Sequence, residues 1–443
     1  MLLSPRCLAL LLLVFLIPFE SAHSASGPAR SANSNSGIQV IQHVIIMVQE
    51  NRSTDNLFHG LKNAETVNFG INSKGKKITL QPIHLVDNYD LGHLHAAFLV
   101  EYDGGKMDGA DRVWVSCHVG AKGCVNPQFQ YVYEADVDPY FQMAEQYAFA
   151  DHMFQSNQGA SYPAHQFVIG ATSAPTATSE MFVAENPLGV VNAPTNTGCT
   201  APPQEFVNLI NPLGQEKQII YPCFEHQTLM DLLDAQQLSW RYYAPLPNQI
   251  WTAPNSIKHI RLGSDWQYVI NNPKQILNDI SGNQLATVSW VMPPTLSSDH
   301  PHENNGTGPS WIASVVNAVG NSPYWSSTAI FITWDDWGGW YDHVAPPIIN
   351  SYQYGLRVPL IIVSPYVIPG CVSHQTHDFS SIVKFTETAF DLPSLGFGDV
   401  NADDLTDCFN FSQKALTFHM IKAPLDANYF LNDNSPQPES DEY

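Results

Sequence analysis

The chain has 443 residues, with 19 Lys and Arg against 41 Asp and Glu, for a formal charge of −22. Charged residues make up 14% and hydrophobic ones 44%, where an average soluble domain carries about 25% charged. That apolar content excludes intrinsic disorder, and the scarcity of cations argues against nucleic-acid or anionic-membrane partners.

Arg6, the apolar run Cys7–Phe19 and the small residues Ser21, Ala22, Ser24 and Ala25 form a secretory signal-peptide pattern. The run is shorter than the about 20 residues a helix needs to span a bilayer. Residues 1–25 are therefore expected to be cleaved, giving a secreted or periplasmic protein with no integral membrane segment. A polar leader (26–37), one catalytic domain (38–431) and an acidic, disordered tail (432–443) are expected to follow. Loss of Cys7 leaves six cysteines, an even number that suggests disulfides in an exported chain. Nearest-neighbour pairing predicts 117–124, 199–223 and 371–408.

Short apolar, β-branched runs predict buried strands at 42–48, 288–291, 328–333 and 359–363. Helices are predicted at 140–147 (after Asp138-Pro139), 228–235, 311–319 (after Pro309-Ser310) and 379–389, the last capped by Asp378. Segments 60–130 and 172–225, rich in Gly, Asn, Pro and Thr, read as insertions. Strands alternating with helices predict an α/β fold, a mostly parallel sheet covered on both faces.

Four groups carry candidate chemistry. Glu50 and Asn51 follow the first strand, where open α/β sheets place their ligands, and both offer oxygen to a hard cation. The bland alternative is a polar loop with Ser53 or Thr54 capping the next helix. Ser161 lies in the small-residue turn Ser156–Pro163, and a serine needs a base or a metal to become a nucleophile. His300, His343 and His95 are candidate ligands or acids. Asp335 and Asp336 follow another strand; adjacent carboxylates repel unless a cation or proton separates them. Gly338-Gly339 permits a tight turn there, and Trp334, Trp337, Trp340 and Tyr341 argue against a solvated acidic loop. Among the motifs that are absent are the G-x-S-x-G elbow, H-E-x-x-H, the P-loop and G-x-G-x-x-G.

The blocks IQHVIIMVQENRSTDNLFHG (41–60), DGGKMDG (103–109), AFADHMFQSNQGASYPAHQFVIGAT (148–172), VSWVMPPTLSSDHP (288–301), TAIFITWDDWGGWYDHVAPP (328–347) and GLRVPLIIVSPYV (355–367) resemble, in order, those of the bacterial phospholipase C and acid phosphatase family of phosphoesterases. The resemblance implies a three-layer α/β/α fold related to alkaline phosphatase. It implies a divalent metal (Ca²⁺, Mg²⁺, Mn²⁺ or Zn²⁺) at Glu50, Asn51, Asp335 and Asp336, a serine nucleophile at Ser161 that also meets the metal, and functional histidines at His300, His95 and His343. The expected activity is hydrolysis of a phosphate ester or phospholipid headgroup through a phospho-serine, by a monomer. The alternatives are a strict acid phosphomonoesterase, a sulfatase-like esterase, or a non-catalytic secreted binding protein on the same fold. The family's Arg after the nucleophile is missing, leaving His165 or Gln166 to line the pocket, and Asp378-Phe379-Ser380-Ser381 replaces the family's D-H-T-S.

Overall fold

Strand β1 (His43–Gln49) is a run of β-branched and other apolar residues buried along nearly its whole length, as a strand covered on both faces must be. It pairs in parallel with β5 (Val288–Val291) on one side and β6 (Thr328–Trp334) on the other. These are the centre of an eight-stranded sheet completed by β2 (Ala148–Ala150), β3 (Trp240–Tyr243), β4 (Val269–Ile270), β7 (Leu360–Val363) and β8 (Cys371–Ser373), in the order β4-β3-β5-β1-β6-β7-β2-β8. The computed structural model describes residues 37–86, 89–117, 124–188 and 196–438.

All the strands run one way except β7, which is antiparallel to both β6 and β2. The expected parallel strand at 359–363 is thus present and buried but reversed. A parallel crossover needs a covering helix, and the segment between β6 and β7 contains none.

Helix α1 (Thr54–Leu57) follows β1 and is capped by Ser53, which accepts from the Asn56 N–H at 3.2 Å. The others used below are α2 (His95–Tyr102), α3 (Glu134–Gln146), α4 (Ser161–Gly170), α5 (Leu229–Ala235), α6 (Gly308–Gly320) and α7 (Phe379–Ala389). Helix α3 begins earlier than Asp138-Pro139 predicts, and its backbone breaks at Val137 (φ −121°, ψ 16°). Pro139 therefore opens the second piece, where a missing N–H is tolerated. Thr228 and Asp378 cap α5 and α7 through reciprocal hydrogen bonds with Asp231 and Ser381.

Alternation along β6 sorts the helices into layers. Trp334 packs edge-on against Tyr140 of α3, while Phe331, on the opposite face, packs against Phe385 of α7. Helix α3 packs with α6, and α4 with α7. The result is the expected three-layer α/β/α arrangement.

The segments expected as insertions hold small sheets: Phe69–Ile71 with Lys77–Thr79, Tyr89–Leu91 with Val115–Cys117, and Phe182–Val183, Val207–Ile210 and Glu216–Ile220 together. Cys199 pairs with Cys223 and Cys371 with Cys408, as predicted. The 117–124 pairing involves a Cys117 side chain outside the described residues, as do the signal peptide and residues 26–36. Two contacts involve the segment 433–437. Lys274 donates to the Asp433 carbonyl, and the Thr295 N–H donates to the Gln437 side chain at 2.8 Å.

Candidate metal and nucleophile site

The register Gln49↔Trp334 places the ends of β1 and β6 side by side, so the residues just beyond them meet. The Asp335 N–H donates to the Gln49 carbonyl at 2.9 Å, and the Asn51 N–H donates to Asp335 Oδ1 at 3.0 Å. Asn51 Nδ2 lies 3.1 Å from each Asp336 oxygen. Asn51 takes the left-handed backbone (φ 53°), which asparagine tolerates better than most residues. Gly338 and Gly339 also have positive φ, and the Gly338 N–H donates to Asp336 Oδ1 at 2.7 Å. A Cβ on Gly338 would fall 2.3 Å from the Asn51 carbonyl oxygen. The tight turn is therefore required by packing, and the aromatic residues of the loop are buried.

Ser161 opens α4, and its hydroxyl donates to Asp336 Oδ2 at 2.9 Å. A helix N-terminus carries partial positive charge, which favours negative charge developing on that oxygen or on a phosphoryl group beside it. One turn on, His165 Nε2 lies 3.3 Å from Glu50 Oε1 and 3.9 Å from Asp335 Oδ2. All three side chains are fully buried, and each offers a ligand atom within 4.8 Å of the others. Burial pushes the His165 imidazole down to about 4, with the Asp335 charge opposing, so a nitrogen lone pair is available near neutral pH. Asn51 Oδ1, Asp335 Oδ2 and both His165 ring nitrogens are buried without a hydrogen bond. Buried lone pairs left bare are costly, and this oxygen-and-imidazole set fits a divalent cation.

Thus Glu50, Asn51, Ser161, Asp335 and Asp336 are brought together, with His165 joining from a position that only the missing family Arg had marked. The spacing Ser161–His165, one helical turn, was the available signal. His300 is buried, with its ring 6.1 Å from that of His93; His93 lies 6.5 Å from Trp337, the residue after Asp336. His95 starts α2, and its Nδ1 lies 2.6 Å from Glu216 Oε1. A Cβ on Gly159, in the turn before Ser161, would approach the His95 backbone nitrogen to 3.1 Å, so His95 abuts that turn.

His343 is not brought to Ser161. Its Nδ1 lies 2.6 Å from Asp55 Oδ2, within a network built on the buried Arg357, which donates to Asp342 at 2.8 and 3.2 Å. The Gly338-Gly339 turn carries the chain away from Asp335 and Asp336 before His343 is reached.

Glu185 and Asn186 are neighbours that the sequence did not mark. The Asn186 side chain accepts from the Tyr162 N–H at 2.9 Å. Glu185 accepts from the His95 N–H at 3.2 Å, and burial, then the nearby Glu216 charge, pushes its carboxyl up to about 8. A cavity of about 350 Å³ is lined by His93, Asn186, Asp90 and Arg112 together with a majority of apolar residues that include Leu91, Leu94, Val100 and Trp114.

Relatives match this chain at low sequence identity. The chain is 24% identical to a non-hemolytic phospholipase C of Pseudomonas aeruginosa, over 90% of this chain and 61% of that protein. It is 33% identical to a non-hemolytic phospholipase C of Burkholderia pseudomallei, over 30% of this chain and 24% of that one. The chain thus spans less than two thirds of these relatives. A solved alkaline phosphatase superfamily protein from Vibrio parahaemolyticus superposes with a TM-score of 0.37 at 10% identity, covering 82% of this chain and 70% of that one. The Phosphoesterase family model matches residues 41–393, and on that extent the chain belongs to the phosphoesterase family.

Proposed function

We propose that this chain is an exported phosphoester hydrolase of the phospholipase C type, with Ser161 as nucleophile. The observation that carries this reading is the Ser161 hydroxyl, held 2.9 Å from Asp336 Oδ2 at the start of α4. Ser161 Oγ attacks phosphorus in line as its proton passes to Asp336. The bond from phosphorus to the leaving oxygen breaks, and that oxygen takes a proton from His300. Water then attacks phosphorus of the phospho-serine and gives a proton to His300; the bond from phosphorus to Ser161 Oγ breaks, and Asp336 returns its proton to Oγ, releasing the phosphorylated product and restoring the hydroxyl. Asn51 and the Gly338 N–H hold Asp336 in place throughout. A divalent cation at Glu50, Asn51, Asp335, Asp336 and His165 supplies Lewis-acid stabilisation of phosphoryl charge when bound.

The apolar cavity beside His93 and Asn186 favours an ester with an apolar alcohol over a small polar monoester. Among the described residues no helix is long and apolar enough to cross a membrane, and export rests on the N-terminal pattern. Comparing p-nitrophenylphosphorylcholine with p-nitrophenyl phosphate tests the substrate class, the diester being preferred. Ser161→Ala is expected to lose roughly 10³-fold or more in turnover. Near-full activity in that variant overturns the reading.

A further inference from the structure

A second cluster of metal-ligating side chains lies outside the Ser161 site. His377 is wholly buried, and its Nδ1 is 3.1 Å from Asp403 Oδ1 while its Nε2 is 3.9 Å from Asp407 Oδ1. The three residues offer ligand atoms within 4.8 Å of one another. Acidic loops gather carboxylates without any ion, so the decisive member is the histidine.

Its tautomer follows from its neighbours. Ser373 Oγ donates to Asp407 Oδ2, because an ionised carboxylate can only accept. That uses the one serine proton. Ser373 Oγ therefore accepts from His377 Nε2 at 2.8 Å, and also from the Gln375 N–H at 3.2 Å. With one proton on Nε2, Nδ1 faces the Asp403 carboxylate either with a bare lone pair or, in the imidazolium, with a second proton. Nδ1 is buried and makes no hydrogen bond. Asp403 Oδ1 is held in place by the Leu405 N–H at 2.8 Å. Two lone pairs facing each other at that distance repel, unless a positive charge lies between them. A separation of 3.1 Å lies at the short end for two ligands of one ion, since metal–ligand bonds of about 2.0–2.2 Å place neighbouring ligands roughly 3.0–3.5 Å apart depending on coordination number.

We propose that His377, Asp403 and Asp407 form a structural cation site for a divalent metal that accepts imidazole, of the Zn²⁺ class. Ca²⁺ and Mg²⁺ favour all-oxygen sets. The partly exposed side of the cluster leaves room for water to complete the shell. The site fastens the loop carrying Asp403 and Asp407 to the sheet. The Cys371–Cys408 disulfide already joins that loop to β8, the strand that ends in Ser373. It also steadies the nucleophile turn, because His377–Asp378 pairs with Met153–Phe154 and Asp378 accepts from the Ser156 hydroxyl at 2.7 Å.

The test is Zn²⁺ titration calorimetry on the full chain after chelator treatment and dialysis. Asp335→Asn isolates this site from the one beside Ser161. The expected result is one equivalent bound by Asp335→Asn, none by Asp335→Asn combined with His377→Gln, and a rise in Tm with Zn²⁺ only in the first. Asp407→Asn, at the solvent side, replaces His377→Gln if the latter does not fold, and is expected to weaken binding at least tenfold. Unchanged Zn²⁺ binding on adding either substitution, or none in Asp335→Asn itself, overturns the proposal and leaves an imidazolium–carboxylate pair only. The reading at Ser161 fails separately, if Asp335→Asn binds as much Zn²⁺ as the unaltered chain.

Discussion

Asn51 grips Asp336 by both carboxylate oxygens, with its amide nitrogen 3.1 Å from each. The two residues lie beyond neighbouring strands, so this contact fixes the carboxylate that accepts from Ser161. Asn51→Asp replaces the donor with a second carboxylate facing the first. Turnover of p-nitrophenylphosphorylcholine is expected to fall roughly 10²-fold or more, on the scale of losing a positioned electrostatic group. A rate near that of the unaltered chain would remove Asn51 from the site.

Gly338 is the second constraint on the same carboxylate. Gly338→Ala meets the Asn51 carbonyl oxygen at 2.3 Å, and its φ of 64° suits glycine. The substitution is expected to cost about 1–3 kcal/mol through strain and to lower kcat by disturbing Asp336. Urea denaturation and steady-state kinetics on one preparation check both effects.

Arg357, three residues before β7, bridges to Asp342, and its Nη1 donates to the carbonyls of Glu65 and Asp151 at 3.0 and 2.8 Å. It is fully buried. Asp342 is pushed up by burial, with the Arg357 charge opposing. Arg357→Met strands Asp342 and Asp55 without their cation, at an expected cost of about 3–5 kcal/mol. Arg357→Lys is expected to be destabilising too, because an ammonium cannot reproduce the fork. The urea midpoints of the two variants decide it.

His259 sits between Asp231 (2.9 Å) and Glu225 (2.6 Å). Asp231 above all raises its imidazole to about 9, against the opposing effect of burial. A folded-state value above the unfolded one of about 6.5 means the folded chain holds this proton more tightly. The stabilisation is complete below the unfolded value and is lost as pH rises through about 9. Urea midpoints from pH 6 to pH 10 are expected to fall more steeply for the unaltered chain than for His259→Gln. Parallel curves would contradict this.

The strands were legible because continuous apolar runs have one comfortable place in an α/β fold. The direction of β7 was not, since direction is set by the connecting segment rather than by the strand's own residues. Asp378 announced its helix through capping chemistry that acts within a few residues, whereas α5 was read from its apolar spacing and its Thr228 cap emerged only in the structure. Glu50, Asn51, Asp335 and Asp336 could be marked as strand-end residues, but the register that makes Asn51 meet Asp336 is a property of the assembled sheet. His343 was drawn toward the site by closeness in sequence, which a pair of left-handed glycines undoes. Glu185 gave no signal, because its perturbed carboxyl arises from burial and from the Glu216 charge, both products of the folded chain.

Asn51 and Asp335 stand 284 residues apart in the chain yet are joined by a hydrogen bond. Contacts of that separation are slow to form. A chain that ends before β6 carries Glu50, Asn51, Ser161 and His165 without the two aspartates that complete the constellation. Under the proposed function, a polypeptide emerging from synthesis in order is expected to stay inert toward phosphate esters until β6 slots in beside β1. Hydrolysis of a chromogenic diester would therefore serve as a clock for the closing of the sheet.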